Sequence, residues 1–201
     1  MSDPAPLPFM PKKTLSLLGS PRRGGNSDVL ADAFCARAHR YEAVVDQFAL
    51  AELDFDGCRN LFRCKTDLSH CGQSDGLSPI LDQIALAEVL VLASPIYFTN
   101  VTGQLKSAID RLFSFFVPNY AIKAQKSRLC SGRKVVLIQT QGEPEGRYGD
   151  LLESYATGFA YLGFDQAFHI RAWGVREPGD LDDHPEFFER CHHIADQVYG
   201  G

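Results

Sequence analysis

A three-layer α/β sandwich, five parallel strands doubly wound with helices on both faces, is the fold class this 201-residue sequence predicts. Three observations predict it. Apolar runs alternate with helical periods along the chain, the pattern of a parallel sheet covered on both sides. Two of those runs, Glu88 to Ser94 and Arg133 to Thr140, are nearly unbroken stretches of Val, Leu and Ile, as strands buried on both faces require. The first run stops at a glycine-rich turn that opens directly into a helical pattern.

Taken in order, the first strand is expected over Thr14 to Leu18, ending at Gly19. Val29, Leu30, Ala33 and Phe34 then recur at helical spacing as far as about Ala38. Glu42 to Phe48 reads as the second strand. Ser78 is expected to N-cap the second helix, with Pro79 in the first helical position and Ile80, Leu81, Ile84 and Ala85 as the apolar face. Leu105, Ala108, Ile109 and Leu112 stripe a third helix, and Gly149 to Tyr161 forms a fourth that ends near Gly163. Gln166 to Arg171 is a weaker fifth strand. A fifth helix starts at Pro185 and buries Phe187 or Phe188, Cys191, Ile194 and Val198. One domain over residues 13–201 follows, after a loose proline-rich leader over residues 1–12.

Composition narrows the function. Hydrophobic residues make up 45% and charged residues 22%, an ordinary soluble balance. The net charge of −5 speaks against nucleic acid or an anionic membrane surface as the main partner. No apolar stretch approaches the ~18–20 residues of a membrane span. The leader lacks the basic start and apolar middle of a signal peptide, so a cytoplasmic location with reduced thiols is expected. The six cysteines are therefore candidates for ligands, reactive groups or packing residues before disulfides.

Gly19-Ser20-Pro21-Arg22-Arg23-Gly24-Gly25-Asn26-Ser27 stands where an open α/β sheet binds its ligand, beyond the carboxyl end of a strand. Its chemistry suits an anion. Gly24 and Gly25 permit close backbone approach, Ser20, Asn26 and Ser27 bring donors, Arg22 brings charge, and a helix begins at its positive end. A triphosphate loop needs Gly-x-x-x-x-Gly-Lys-Ser/Thr, but Gly25-Asn26 stands in place of Lys-Ser/Thr, so hydrolysis of a nucleoside triphosphate is excluded. The dinucleotide fingerprint Gly-x-Gly-x-x-Gly is also absent. Spacing alone leaves open a phosphate ligand or a plain capped strand-to-helix turn.

Three ordered motifs carry a resemblance: Gly-Ser-Pro-Arg with Gly-Asn-Ser; Ala87 to Phe98 continued by Gly103-Gln104-Leu105-Lys106 and Asp110-Arg111; and the strand before Thr140-Gln141-Gly142. With them the chain resembles the NAD(P)H-dependent FMN reductase and iron–sulfur flavoprotein branch of the flavodoxin-like superfamily. The resemblance implies a flavodoxin-like fold with bound FMN, NAD(P)H as co-substrate, and a small-molecule or protein electron acceptor such as a flavin or quinone. It implies that Ser20, Arg22, Gly25, Asn26 and Ser27 hold the FMN phosphate. Pro95, Ile96, Tyr97, Phe98 and Asn100 would wrap the flavin ring, and Thr140, Gln141 and Gly142 would approach it from the fourth strand. The aromatics could equally cap the core or an interface. No protein acid or base is implied. Asp110 and Arg111 could be a structural pair at a helix end. A homodimer or homotetramer is implied, with Phe113–Phe116 as the expected contact. A flavodoxin-type or iron–sulfur-assisted electron carrier without its own NAD(P)H oxidase activity is the alternative.

The iron–sulfur branch carries Cys-x2-Cys-x2-Cys and a later fourth Cys. Here Cys58, Cys64 and Cys71 keep the frame, but Leu61 stands at the second position. A [4Fe–4S] cluster takes four thiolates, so no metal is expected, and His70 beside Cys71 is a poor substitute. The loop from Leu50 to Gly76 then reads as a ligand-free cover or, less simply, a reactive-thiol loop. Cys35 and Cys191 fall on apolar helical faces and are expected in the core, and Cys130 is incidental.

Overall fold

The structure is a computed structural model and describes residues 11–66 and 70–200. Five parallel strands, β1 (Lys13–Leu18), β2 (Val44–Ala49), β3 (Val89–Pro95), β4 (Arg133–Gln141) and β5 (Phe164–Trp173), lie in the order β2-β1-β3-β4-β5. Helices α1 (Asn26–His39), α2 (Ser78–Ile84), α3 (Gly103–Arg111), α4 (Leu151–Leu162) and α5 (Pro185–Tyr199) alternate with them. This is the doubly wound, flavodoxin-like arrangement expected from the sequence. The order reverses direction between β1 and β3, which makes that crevice the topological switch point.

The period-two alternation of buried strands builds both faces. Leu15 and Leu17, Leu90 and Leu92, and Val135 and Leu137 point to one side, where they meet Ile80 and Ile84 of α2, Leu105 of α3 and Phe159 of α4. Val89, Val91, Val136 and Ile138 point to the other, against Leu30 and Phe34 of α1 and Phe187, Cys191 and Val198 of α5. Cys35 and Cys191 lie in this second layer, and burial pushes each thiol up to about 12.

Several expectations are corrected locally. Glu42 is not in β2: it has φ 58, because the chain reverses there after α1. Ser78 does not cap α2 forward; its hydroxyl accepts the Asp75 N–H at 3.0 Å and donates to the Gln73 carbonyl at 3.0 Å. β5 is longer than read, because its edge position leaves polar residues on it and weakens its apolar pattern. Residues 1–10 of the expected leader lie outside the described residues. Lys12 already joins the sheet, its carbonyl accepting the Val44 N–H at 3.1 Å. No helix among the described residues is long and apolar enough to cross a membrane.

Candidate functional site

The turn after β1 is organised by its own side chains. Ser20 Oγ accepts the Arg22 N–H at 3.0 Å and donates to the Arg22 carbonyl at 2.9 Å. Gly24 takes φ 67, and its N–H reaches the buried Asp28 carboxylate at 3.2 Å, which ties the turn to the first turn of α1. Burial pushes the Asp28 carboxyl up, against the lowering pull of that N–H and of Arg23. Asn26 and Ser27 hold the first two helical positions, where N–H groups lack intrahelical acceptors and the helix end is positive. Ser20, Arg22, Gly25, Asn26 and Ser27 line one cleft, joined by Pro95 at the end of β3, by Tyr97 just after it, and by Arg176 and Pro178 from the loop after β5. Such a concavity of N–H groups and cations suits an anion.

The segment after β3 forms the second wall. Thr102 Oγ1 donates to the Gly19 carbonyl at 2.6 Å, and the Thr102 N–H reaches Ser94 Oγ at 3.0 Å. A Cβ at Gly19 would lie 2.7 Å from Leu105 Cβ, so α3 can approach the turn only over a glycine. Between them, Tyr97 and Asn100 exchange N–H···O bonds of 2.8 and 3.2 Å around Phe98 (φ 45) and Thr99 (φ 72). This is a two-residue hairpin with both central residues left-handed. Phe98 is fully exposed at its tip. Asn100 Oδ1 accepts the Val101 N–H at 2.8 Å and the Tyr155 hydroxyl at 2.5 Å, so α4 holds the base of this hairpin.

The third wall follows β4. Ile96 N–H donates to the Thr140 carbonyl at 2.8 Å, which sets the second and third walls side by side. Gln141 is buried, and its side-chain amide donates to the carbonyls of Glu143, Pro144 and Arg147 at 2.8–3.2 Å. Its side chain thus shapes the loop, while its carbonyl accepts the Val175 N–H at 3.0 Å and the Gly142 carbonyl accepts from Arg176. Gln139 donates to Gln141 Oε1 at 2.5 Å and is itself hydrogen-bonded to His169 Nε2 at 2.9 Å.

The cysteine loop is anchored by Arg111, which is 1% exposed. Arg111 does not pair with Asp110, which instead holds Lys106 at 2.6 Å. Its guanidinium grips Asp75 at 2.7 and 3.2 Å, the Asp56 carbonyl at 2.8 Å and Cys71 Sγ at 3.2 Å. Burial raises the Asp75 carboxyl, but the hydrogen bonds and then the charge of Arg111, with the N–H groups of Leu77 and Asp56, outweigh it and hold the group below the usual carboxylate range. Cys58, Cys64 and Cys71 line a single cavity with Leu61 and Phe113. Among the described residues no three His, Cys, Asp or Glu side chains are grouped to hold a metal ion.

Of the thirteen residues picked from the sequence, Ser20, Arg22, Gly25, Asn26, Ser27, Pro95 and Tyr97 line the cleft, and Ile96 is bonded to Thr140; Phe98, Asn100, Gln141 and Gly142 are not part of that lining. Of the Phe113–Phe116 segment, Phe115 and Phe116 are buried, and only Phe113 is half-exposed, beneath Lys65 Nζ at 4.0 Å. Sequence reasoning missed Thr102, Tyr155 and Arg176. Thr102 was readable as the N-cap two residues before Gln104. Tyr155 and Arg176 reach the site only through tertiary contacts.

Solved structures share this architecture. A FMN-dependent NADH-azoreductase from Bacillus anthracis in complex with FMN superposes with a TM-score of 0.70 at 18% identity, covering 94% of this chain and 99% of that one. A NAD(P)H:quinone oxidoreductase from Methanothermobacter marburgensis gives 0.69 at 17% identity, with 94% and 98% covered. An iron–sulfur flavoprotein from Archaeoglobus fulgidus is 28% identical over 103 residues, which are 51% of this chain and 46% of that protein. This chain thus spans about half the length of that relative. A FMN-dependent NADH:quinone oxidoreductase from Mycoplasma mobile is 27% identical over 161 residues, 77% of this chain and 78% of that protein. Residues 12–151, well over half of the chain, match the family model described as NADPH-dependent FMN reductase, and the chain belongs to that family.

Proposed function

We propose that this protein is an FMN-dependent oxidoreductase that passes reducing equivalents from NAD(P)H to a quinone, a flavin or a similar acceptor. The observation that carries the reading is the meeting of three loops at the β1/β3 switch point. The anion-receptive turn lies in one cleft with Pro95 and Tyr97, and Thr140 is bonded to Ile96 beside them. A phosphate-tailed planar cofactor fits that layout: its phosphate against Ser20, Arg22, Gly25, Asn26 and Ser27, its ring between Pro95 to Asn100 and Thr140 to Gly142. FMN would supply hydride acceptance and electron delivery. The chain's own task is positioning. Buried Thr102 and Ser94 fix where the ring loop leaves β3, Tyr155 braces Asn100, and Gln141 shapes the loop that follows Gly142.

The reading includes a cytoplasmic, homo-oligomeric enzyme. All six cysteines are free, which suits a reducing compartment. An apolar groove between α3 and α4, lined by Ile109, Phe113, Phe116, Tyr155 and Phe159, supports self-association there rather than through the whole Phe113–Phe116 segment. Light scattering at working concentration is expected to return a dimer or tetramer; a monomer overturns that part.

The visible spectrum of freshly purified protein is expected to be that of a flavin without a broad iron–sulfur shoulder. Anaerobic NADH or NADPH should bleach it rapidly. A colourless protein that takes up no FMN sinks the cofactor assignment. Flavin that NAD(P)H fails to bleach replaces the enzyme with an electron carrier.

A further inference from the structure

Arg176 and Glu177 follow β5 and belong to none of the three motifs, yet Arg176 lines the anion cleft and Glu177 pairs with Arg22, which also lines it. Their loop is a built turn. The Asp180 carboxylate accepts the Arg176 N–H at 2.7 Å and the Glu177 N–H at 2.8 Å. Asn26 Nδ2 grips the Glu177 carbonyl at 3.1 Å, so the first residue of α1 holds the loop against the turn. Val175 N–H donates to the Gln141 carbonyl at 3.0 Å, which ties the same loop to the third wall. Arg176 is thus presented from a braced backbone, while its side chain remains largely exposed.

The charges around the cleft are arranged in competition. Arg176 lines it with Ser20, Arg22 and Ser27. Its Nη2 and Nε donate to the Gly142 carbonyl at 3.2 and 3.3 Å, weak bonds for a guanidinium, and Nη2 lies 3.9 Å from the exposed Glu143 carboxylate. A Cβ at Gly142 would lie 2.4 Å from Arg176 Nε, so the guanidinium crosses over a residue that has no side chain. Arg22 is meanwhile paired with Glu177 at 3.4 Å, both side chains more than half exposed. Exposed pairs of this kind are held by little and are exchangeable for a stronger anion. A phosphate monoester brings nearly two negative charges and can accept from two guanidinium groups at once.

We propose that the β5–α5 loop is a fourth wall of the phosphate site, with Arg176 as a second phosphate cation and Glu177 as a counter-charge that the phosphate displaces from Arg22. The cleft is then a balance of charges: Arg22 exchanges Glu177 for phosphate, and Arg176 exchanges the Gly142 carbonyl and the Glu143 carboxylate for phosphate. Glu177 opposes the ligand twice, by holding Arg22 and by its own like charge. This inference rests on the FMN reading above and adds to it the residues that set how tightly the phosphate end is held.

The test is a titration of the full chain, freed of bound flavin, with FMN and with riboflavin, followed by flavin fluorescence. Arg176→Gln is expected to weaken FMN about tenfold, the low end for loss of one charge-assisted contact, and to leave riboflavin unchanged. Arg176→Lys should keep most of the FMN affinity. Glu177→Gln should tighten FMN several-fold, again without effect on riboflavin. Arg176→Gln that leaves FMN unchanged, or shifts FMN and riboflavin alike, overturns the assignment. So does an Arg176→Gln chain that binds FMN normally but has a raised KM for NADPH, since the cation would then serve the nucleotide. Wild-type protein that binds neither flavin overturns the proposed function itself, and this assignment with it.

Discussion

The hydroxyl of Thr102 donates to the carbonyl of Gly19 at 2.6 Å and accepts the N–H of Leu105 at 3.3 Å. One buried side chain thus caps α3 and pins the start of the anion turn, two elements separated by most of the first half of the chain. Thr102→Val keeps the shape and removes both bonds, leaving a buried carbonyl and a helix N–H unsatisfied. The expected loss is about 1–3 kcal/mol of stability, read as a lower Tm, together with weaker FMN retention. Thr102→Ser should recover most of both. If the valine variant melts like wild type, the hydroxyl does not join the two walls.

Arg111 holds four acceptors from a position that water barely reaches. Arg111→Met would strand the Asp75 carboxylate and the Asp56 carbonyl, and breaking a buried pair from one side costs about 3–5 kcal/mol. Arg111→Lys should rescue little, because an ammonium cannot reproduce the two-pronged grip on Asp75. Limited proteolysis is expected to cut the 54–76 loop in both variants before the sheet unfolds. Equal protease resistance in the lysine variant would show that charge alone anchors the loop.

Thr99 is β-branched yet held at φ 72. That conformation costs such a residue on the order of 1–3 kcal/mol. Thr99→Gly removes the strain but adds freedom to the unfolded chain, which offsets about 0.4–1 kcal/mol. The net expectation is a stabilised protein, with Tm up by a few degrees for a chain of this size. A lower Tm would mean that the threonine side chain makes a contact worth more than the strain.

The fold was legible where burial on two faces writes a simple code. β3 and β4 read almost to the residue, because nearly every side chain in them must be apolar. β5 read short because an edge strand tolerates exposed Asp165, Gln166 and Ala167, which blur the apolar pattern at its start. The first three walls of the site were legible because each is a local motif at a strand end. Arg176 was not: it meets Gly142 across 34 residues and the anion turn across more than 150, and no spacing rule spans such distances. Gln141 shows a subtler limit. Its place in the sequence suggests a contact with the cofactor, whereas its amide is occupied with the loop backbone.

His169 lies at the far end of that same network, bonded through Nε2 to buried Gln139 and so to Gln141. Burial first, and then the charges of Arg171 and Arg190, lower its pKa from 6.5 to about 4. The unfolded chain therefore binds a proton that the folded chain refuses between those values. Stability is full above pH 6.5 and falls as pH drops toward 4. At pH 5 the loss should be about 2 kcal/mol. Asp196 does not confuse this window. The hydrogen bond from Arg37 holds its carboxyl at about 2, so its contribution fades only below pH 3.8. His169→Gln keeps a donor for Gln139 and carries no titrating proton. The wild-type Tm should fall more steeply than the variant's between pH 7 and 5, and the difference isolates His169 from every other carboxyl and imidazole. Parallel curves would mean that the imidazole titrates freely, and that the Gln139–Gln141 network beneath the third wall is open to water.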